Sequence, residues 1–299
     1  MPETFFLIMF MMTATFAGAT IPHAADKMMR FKCRTYRQWF AASAQGYATF
    51  WEQTHRAPNP KASGDEGAWG TWAQHLPCLI ADRAIAREEI TPLLTAAFPL
   101  LFNEEEVANL PTLAQLTADF SLEHKGFLTP VCSGGTALVA GCIAALPLSF
   151  LYRYVLLALV VICLLMALVD AKCRIIPTEF AVVLALCGIV WQTASGWSYV
   201  AESVVGAGSI LCLLLAINTC SLHLRKTRGI GGGDVRALPA AAIAAGFPGI
   251  VAGMTLSGIA FLAFALVAKA TGHLTSTTKV PFGPFIALVA IGGVLATFI

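Results

Sequence analysis

The stretch YVLLALVVICLLMALVDAKCRIIP, residues 154–177, decides how the rest of the chain must be read. Sixteen residues, 154–169, pass without a charge; then come Asp170, Lys172, Arg174 and finally Pro177. A run of that length with no polar stripe suits a helix that meets apolar surroundings on every side. Its charged end marks where such a helix reaches water. The same pattern recurs through most of the chain, with 57% of the 299 residues hydrophobic and 12% charged. Soluble domains carry about 25% charged residues, so this composition excludes an ordinary water-soluble fold.

Working outward, spans are expected at 5–21, 131–151, 154–170, 177–195, 200–220, 234–247, 249–268 and 282–298. The fold class is therefore all-α: a polytopic membrane protein with about eight transmembrane helices and a small helical cytosolic domain. Three regions follow, a first anchor at 1–22, a cytosolic domain at 23–127 and a seven-helix membrane domain at 128–299. The run 5–21 is expected to be a retained anchor. A cleaved signal would want basic residues before it, and only Glu3 is charged there. Pro239 predicts that the short span 234–247 is tilted, broken or shielded, and Gly246-Phe247-Pro248-Gly249 predicts a turn after it.

Residues 23–125 differ in kind, holding twelve of the seventeen acidic residues and four of the six tryptophans. Turn-forming residues cluster at 57–65, amphipathic helices are expected within 79–102, and Asn103-Glu104-Glu105-Glu106 resembles a helix start. His55 and His75 have no ligand pattern around them. None of the nine cysteines is arranged as CxxC, and Cys132, Cys142, Cys163, Cys187 and Cys212 lie in apolar runs where packing is their expected role. No metal or other cofactor is expected, and nothing points to nucleic acid.

Charge placement orients the spans. Lys27, Arg30, Lys32, Arg34 and Arg37 follow the first run, so by the positive-inside rule this cluster is cytoplasmic and the N-terminus lies outside. Alternating eight spans then puts Lys172, Arg174, His223, Arg225, Lys226, Arg228, Lys269 and Lys279 inside, with the C-terminus outside and Arg153 alone among basic residues at the outer face. The consequence is specific: Asp170 and Asp234, 64 positions apart, arrive at the cytoplasmic ends of different helices. Beyond Gly126 the other acids are Glu179 and Glu202, in the first turns of their spans and without distinctive surroundings. A carboxylate near hydrocarbon costs about 2.5–3.5 kcal/mol on insertion scales, so Asp170 and Asp234 are functional candidates. The plainer role for each is interfacial pairing, Asp170 with Lys172 or Arg174 and Asp234 with Arg236.

Two local segments sharpen the case. After Asp170 the chain turns within seven residues to Pro177, which suits the first turn of the next helix. Before Asp234 stands Gly229-Ile230-Gly231-Gly232-Gly233, where each glycine costs a helix about 1 kcal/mol against alanine and permits close approach of an extended substrate. A phosphate-binding loop is excluded because GxxxxGK[ST] is absent.

Gly231-Gly232-Gly233-Asp234 matches the GxGD motif of aspartic membrane peptidases. With Asp170…Ile176-Pro177 and Pro281-Phe282-Gly283-Pro284-Phe285, the chain resembles the type IV prepilin peptidases over about residues 128–299. The resemblance implies catalytic Asp170 and Asp234, with Gly231, Gly232, Gly233, Pro177, Pro281, Gly283 and Pro284 shaping the substrate and active-site loops. It implies removal of a leader from type IV prepilins or pseudopilins at the cytosolic face of a bacterial inner membrane. Paired CxxC motifs common in methylating relatives are missing, since residues 23–125 hold only Cys33 and Cys78, so N-methylation is doubtful. Thr178 stands after Pro177 where Asp or Asn is common. The rival functions are a transporter or channel using both aspartates as ion or proton ligands, and a membrane scaffold acting through 23–127, where a further partner could bind. A transport site belongs near the midplane, whereas these acids are threaded at one surface.

Overall fold

The computed structural model describes residues 2–54, 87, 112–119, 121–122, 125–225, 230–271 and 280–298. The turn cluster at 57–65, the amphipathic and acidic segments at 79–106, and His55, His75 and Cys78 lie outside the described residues. Every described element is an α-helix: α1 (Pro2–Thr54), α2 (Leu113–Asp119), α3 (Lys125–Ala145), α4 (Phe150–Cys173), α5 (Thr178–Gln192), α6 (Trp197–Arg225), α7 (Gly232–Ala270) and α8 (Gly283–Ala296).

The chain divides into two compact units, Met1–Ala25 with Glu123–Ile299, and Asp26–Leu122. In the second unit Asp26 accepts a hydrogen bond from Leu122 N–H at 3.0 Å and pairs with Arg30 at 3.1 Å. There α2 opens with a reciprocal cap: Thr112 N–H donates to Gln115 Oε1 at 2.9 Å, and Gln115 N–H donates to Thr112 Oγ1 at 3.3 Å. The first apolar run, expected as an anchor over 1–22, lies at the start of α1. It opens a helix that continues past Pro22 to Thr54, because residues 23–45 contain no glycine or proline to stop it.

Among the described residues, five helices are long and apolar enough to cross a membrane: Phe6–Thr35 within α1, then α3, α4, Trp197–Ser221 within α6, and α7. α5 and α8 are apolar but shorter, with 15 and 14 residues. At 1.5 Å per residue they reach about 20 Å, short of the ~30 Å hydrocarbon layer. They differ in this from the full spans expected at 177–195 and 282–298. Pro177 and the turn at Thr193–Gly196 bound one, and Pro281-Phe282 and the turn at Thr297 bound the other.

In the first unit the helices pack on small residues. Ser133 Oγ on α3 donates to Thr15 O on α1 at 3.2 Å, and any side chain at Gly18 would strike the α3 backbone at Cys132 and Ser133. Phe6 and Phe10 meet Phe150 and Tyr154 edge-on, with ring centroids 5.0 and 5.2 Å apart. Buried alanines Ala240, Ala241, Ala242, Ala244 and Ala245 let neighbouring backbones approach the first half of α7 closely.

α7 is broken where the sequence predicts a turn. Gly246 has φ 73° and ψ 162°, a conformation open to glycine alone, and Pro248 lacks an N–H for the Ala244 carbonyl. Gln192, buried at the end of α5, donates Nε2 to Ile243 O at 3.3 Å and Ala244 O at 3.0 Å. One side chain thus satisfies carbonyls that the break sets free, as hydrocarbon surroundings demand. Past the break α7 doubles back along α8. Gly249 lies against Gly293, Gly253 against Val289, and buried Ser257 donates to Phe285 O at 2.9 Å. Those levels bring one end of the bundle together around Asp170 and Asp234.

Candidate active site

α4 ends just beyond Asp170. Arg174 takes the left-handed conformation (φ 54°, ψ 35°) and its N–H caps the Asp170 carbonyl at 2.8 Å. The chain then runs through buried Ile176 to Pro177, the N-cap of α5 at φ −60° and ψ 139°. Pro177 therefore sits one residue ahead of the helical first turn that the sequence predicts for it. Its fixed φ still directs the turn into α5.

The Asp170 side chain points inward and the residue is only 4% exposed. Its Oδ2 accepts the Gly283 N–H at 2.6 Å, and the Phe282 backbone adds a second contact. These are the free N–H groups at the start of α8, where the helix dipole also favours a carboxylate. Asp170 thus caps a helix other than its own. A Cβ at residue 283 would lie 2.7 Å from Asp170 Cβ, so only glycine permits this approach.

The other residues of Pro281-Phe282-Gly283-Pro284-Phe285 hold that amide in place. Pro284 occupies the first helical turn, where its missing N–H costs nothing. Phe282 and Phe285 pack on Phe261 of α7 with centroids 6.0 and 5.1 Å apart, and Phe264 meets Phe285 at 5.9 Å. Such edge contacts add about 0.5–1.5 kcal/mol each beyond burial.

Asp234 is half-buried at the third position of α7, after Gly232 and Gly233, with Gly231 as N-cap. Its carboxylate lies back against Gly231, at the N-terminal end of the helix, where the helix dipole favours a negative charge. Gly233 lies against the loop from Asp170, since a Cβ there would be 3.0 Å from Ile176 Cβ and 3.1 Å from Ile176 O. Gly231 has its own reason to be glycine, a Cβ falling 2.9 Å from Asp234 Oδ2, while Gly232 faces open space. The two aspartates are near enough to interact electrostatically.

Of the candidate residues, the structure brings together Asp170, Asp234, Gly231, Gly233, Pro177 and Gly283, with Pro281 and Pro284 flanking the Asp170 contact. Gly232 belongs to the same turn without a neighbour in reach. The interfacial ion pairs are not formed: among the described residues neither aspartate pairs with Lys172, Arg174 or Arg236. Arg236 instead donates Nη1 to Thr178 Oγ1 at 2.6 Å, linking the start of α7 to the start of α5. Three contributors are not evident in the sequence: Asn218 of α6, which bonds both backbone groups of Ile230, the Thr178–Arg236 link, and Phe261 behind α8. An asparagine inside the apolar run LLLAINTCSL is the one signal that could have flagged a site.

Chemically, two carboxylates from separate helices, near enough to interact electrostatically, are an arrangement that can share one proton. Residues 157–268 match the family model described as the type IV leader peptidase family. That segment contains Asp170, Pro177 and Gly231 to Asp234. No curated protein and no solved structure matches the chain.

Proposed function

On the premise that the chain is a member of the type IV leader peptidase family through residues 157–268, we propose that Asp170 and Asp234 are its catalytic carboxylates. The observation that carries this is their convergence from α4 and α7 beside Gly283 and Gly231. Family membership makes the protein a peptidase with a prepilin-like substrate and disfavours transport. The finer reading is an aspartic endopeptidase that cuts one bond between a basic leader and the apolar helix after it.

Two adjacent carboxylates do not ionise together easily, so the pair holds one proton between them. The ionised member takes a proton from water as it attacks the scissile carbonyl. The protonated member donates its proton to the carbonyl oxygen. The first member then passes the proton it took from water to the leaving amine as the C–N bond breaks, and the second recovers its own from the hydroxyl of the collapsing intermediate. The glycine segment 231–233 leaves space for extended backbone beside Asp234. Gly283, Pro281 and Pro284 fix the wall on which Asp170 rests.

Counting the halves of α7 separately gives eight apolar helical segments. We read these segments, the short α5 and α8 included, as threaded with basic loops inside, a reading in which both aspartates stand at the cytosolic face of a bacterial inner membrane. Residues 23–127 then form a cytosolic region available to a further partner. Cleavage without N-methylation is the expected activity.

Co-expression with a candidate prepilin tests this. The expected product lacks the basic leader and, by mass spectrometry, begins at the apolar helix with a free amine. An intact precursor beside abundant, membrane-inserted protein would overturn the proposal. A methylated product would overturn its second half alone.

A further inference from the structure

Asn218 follows the apolar stretch Leu213 to Ile217 of α6, and both ends of its carboxamide are engaged. Its Oδ1 accepts the Ile230 N–H at 2.8 Å and its Nδ2 donates to Ile230 O at 3.3 Å. A primary amide is the side chain that can match both groups of one residue at once, as a neighbouring strand would. In apolar surroundings an asparagine left unpaired would be costly, so this geometry is strongly held.

What the clamp holds is the residue before Gly231. Gly231 accepts Val235 N–H at 3.2 Å as the N-cap of α7, and the Asp234 carboxylate lies against it, Oδ2 falling 2.9 Å from where a Cβ on Gly231 would stand. With Ile230 fixed on α6, Gly231 is the one link between the clamp and the first helical turn. Where Gly231 stands, and with it the place of the Asp234 carboxylate, then depends on Asn218.

We propose that Asn218 is a positioning residue for the reaction: through Ile230 and Gly231 it sets where the Asp234 carboxylate stands relative to Asp170. The inference rests on the reading of Asp234 as a catalytic carboxylate. It identifies a residue of α6, outside the three motif segments, as part of the site's support.

The experiment compares the full-length protein with Asn218→Ala and Asn218→Asp in detergent micelles or lipid vesicles. The aspartate variant keeps the acceptor for Ile230 N–H and loses the donor. The activity probe is a reporter made of a basic leader joined to a single apolar helix. Amide hydrogen exchange over 230–235 is measured alongside. Loss of both bonds in Asn218→Ala should speed exchange there about tenfold or more, with residues 197–217 unchanged. Its kcat should fall by about 10²-fold, the scale of an ångström-level misplacement, with KM little altered. Asn218→Asp should lie between alanine and wild type in both readouts.

Unchanged exchange at 230–235 would overturn the proposal. So would faster exchange spread evenly through α6 and α7, because Asn218 would then serve the fold, and so would faster exchange with unchanged kcat. Failure of the wild type to cut the reporter would count against the peptidase reading instead, while the exchange comparison still decides whether the clamp exists.

Discussion

Asp170 and Asp234 both stand at the start of a helix, but in opposite ways. Asp170 lies in the last turn of α4 and caps α8, a helix 113 positions away, through Gly283 N–H. Asp234 lies in the first turn of its own helix, with its carboxylate against Gly231, the N-cap. Asp170 is therefore held by tertiary packing and is almost wholly buried, whereas Asp234 is held by a local turn and is half-exposed. The difference teaches where each can be disturbed. Asp170 depends on whatever keeps α4 and α8 together, and Asp234 on whatever holds its turn.

Short of removing a carboxylate, the largest effect is expected from Gly283→Ala. The added methyl, 2.7 Å from Asp170 Cβ, must push α8 and α4 apart. Overpacking of this kind costs about 1–3 kcal/mol. Because it moves the reacting group, leader cleavage should fall about 10²-fold in kcat. Near-normal cleavage would show that Asp170 does not need this contact.

On the Asp234 side the glycines should grade by what a methyl meets. Gly233→Ala presses on Ile176 and its backbone, and a roughly tenfold loss of cleavage is expected. Gly231→Ala meets only the end of the Asp234 side chain, which can swing, so its loss should be smaller. Gly232→Ala meets nothing and should be close to wild type. If Gly232→Ala proved the worst of the three, substrate rather than the protein would be filling the space above it.

This grading also shows what the sequence could and could not disclose. The GxGD segment, the Asp170 turn and the PFGPF stretch are local patterns, and each is legible as a string. The apolar runs and the break at Gly246-Phe247-Pro248 are legible for the same reason, since length, glycine and proline act on the chain nearby. Partners that meet only after folding are not. Asn218 reaches Ile230, Gln192 reaches the carbonyls of α7, and Arg236 reaches Thr178 rather than an aspartate, all through helix packing. The lengths of α5 and α8 are shorter than the apolar runs that contain them, because such a run does not reveal where its turns begin. The continuation of α1 beyond residue 22 is not legible as a string either, because the change of composition there does not interrupt a helix.

Smaller effects should separate positioning from anchoring. Arg236→Ala removes one exposed hydrogen bond to Thr178, and a single bond of this kind is worth about 0.5–1.5 kcal/mol. Cleavage should drop less than about tenfold, and Thr178→Val should match it. A complete loss in Arg236→Ala alone would mean that the guanidinium has a role beyond this link.

Gln192→Leu marks the low end of the series for activity. It leaves the Ile243 and Ala244 carbonyls unpaired at the bundle end remote from the aspartates. Thermal unfolding in detergent should register a loss of about 1–3 kcal/mol, while kcat of the folded protein stays near wild type. Loss of kcat without loss of stability would mean that the broken helix is coupled to the site.

The central claim is that cleavage needs both carboxylates. It is tested most directly by measuring leader removal from one prepilin by wild type, Asp170→Asn and Asp234→Asn at equal membrane abundance. Wild type should process the precursor, and each variant should lose activity by at least the ~10²–10⁴-fold that a positioned acid or base contributes. Full processing by either variant would contradict the account.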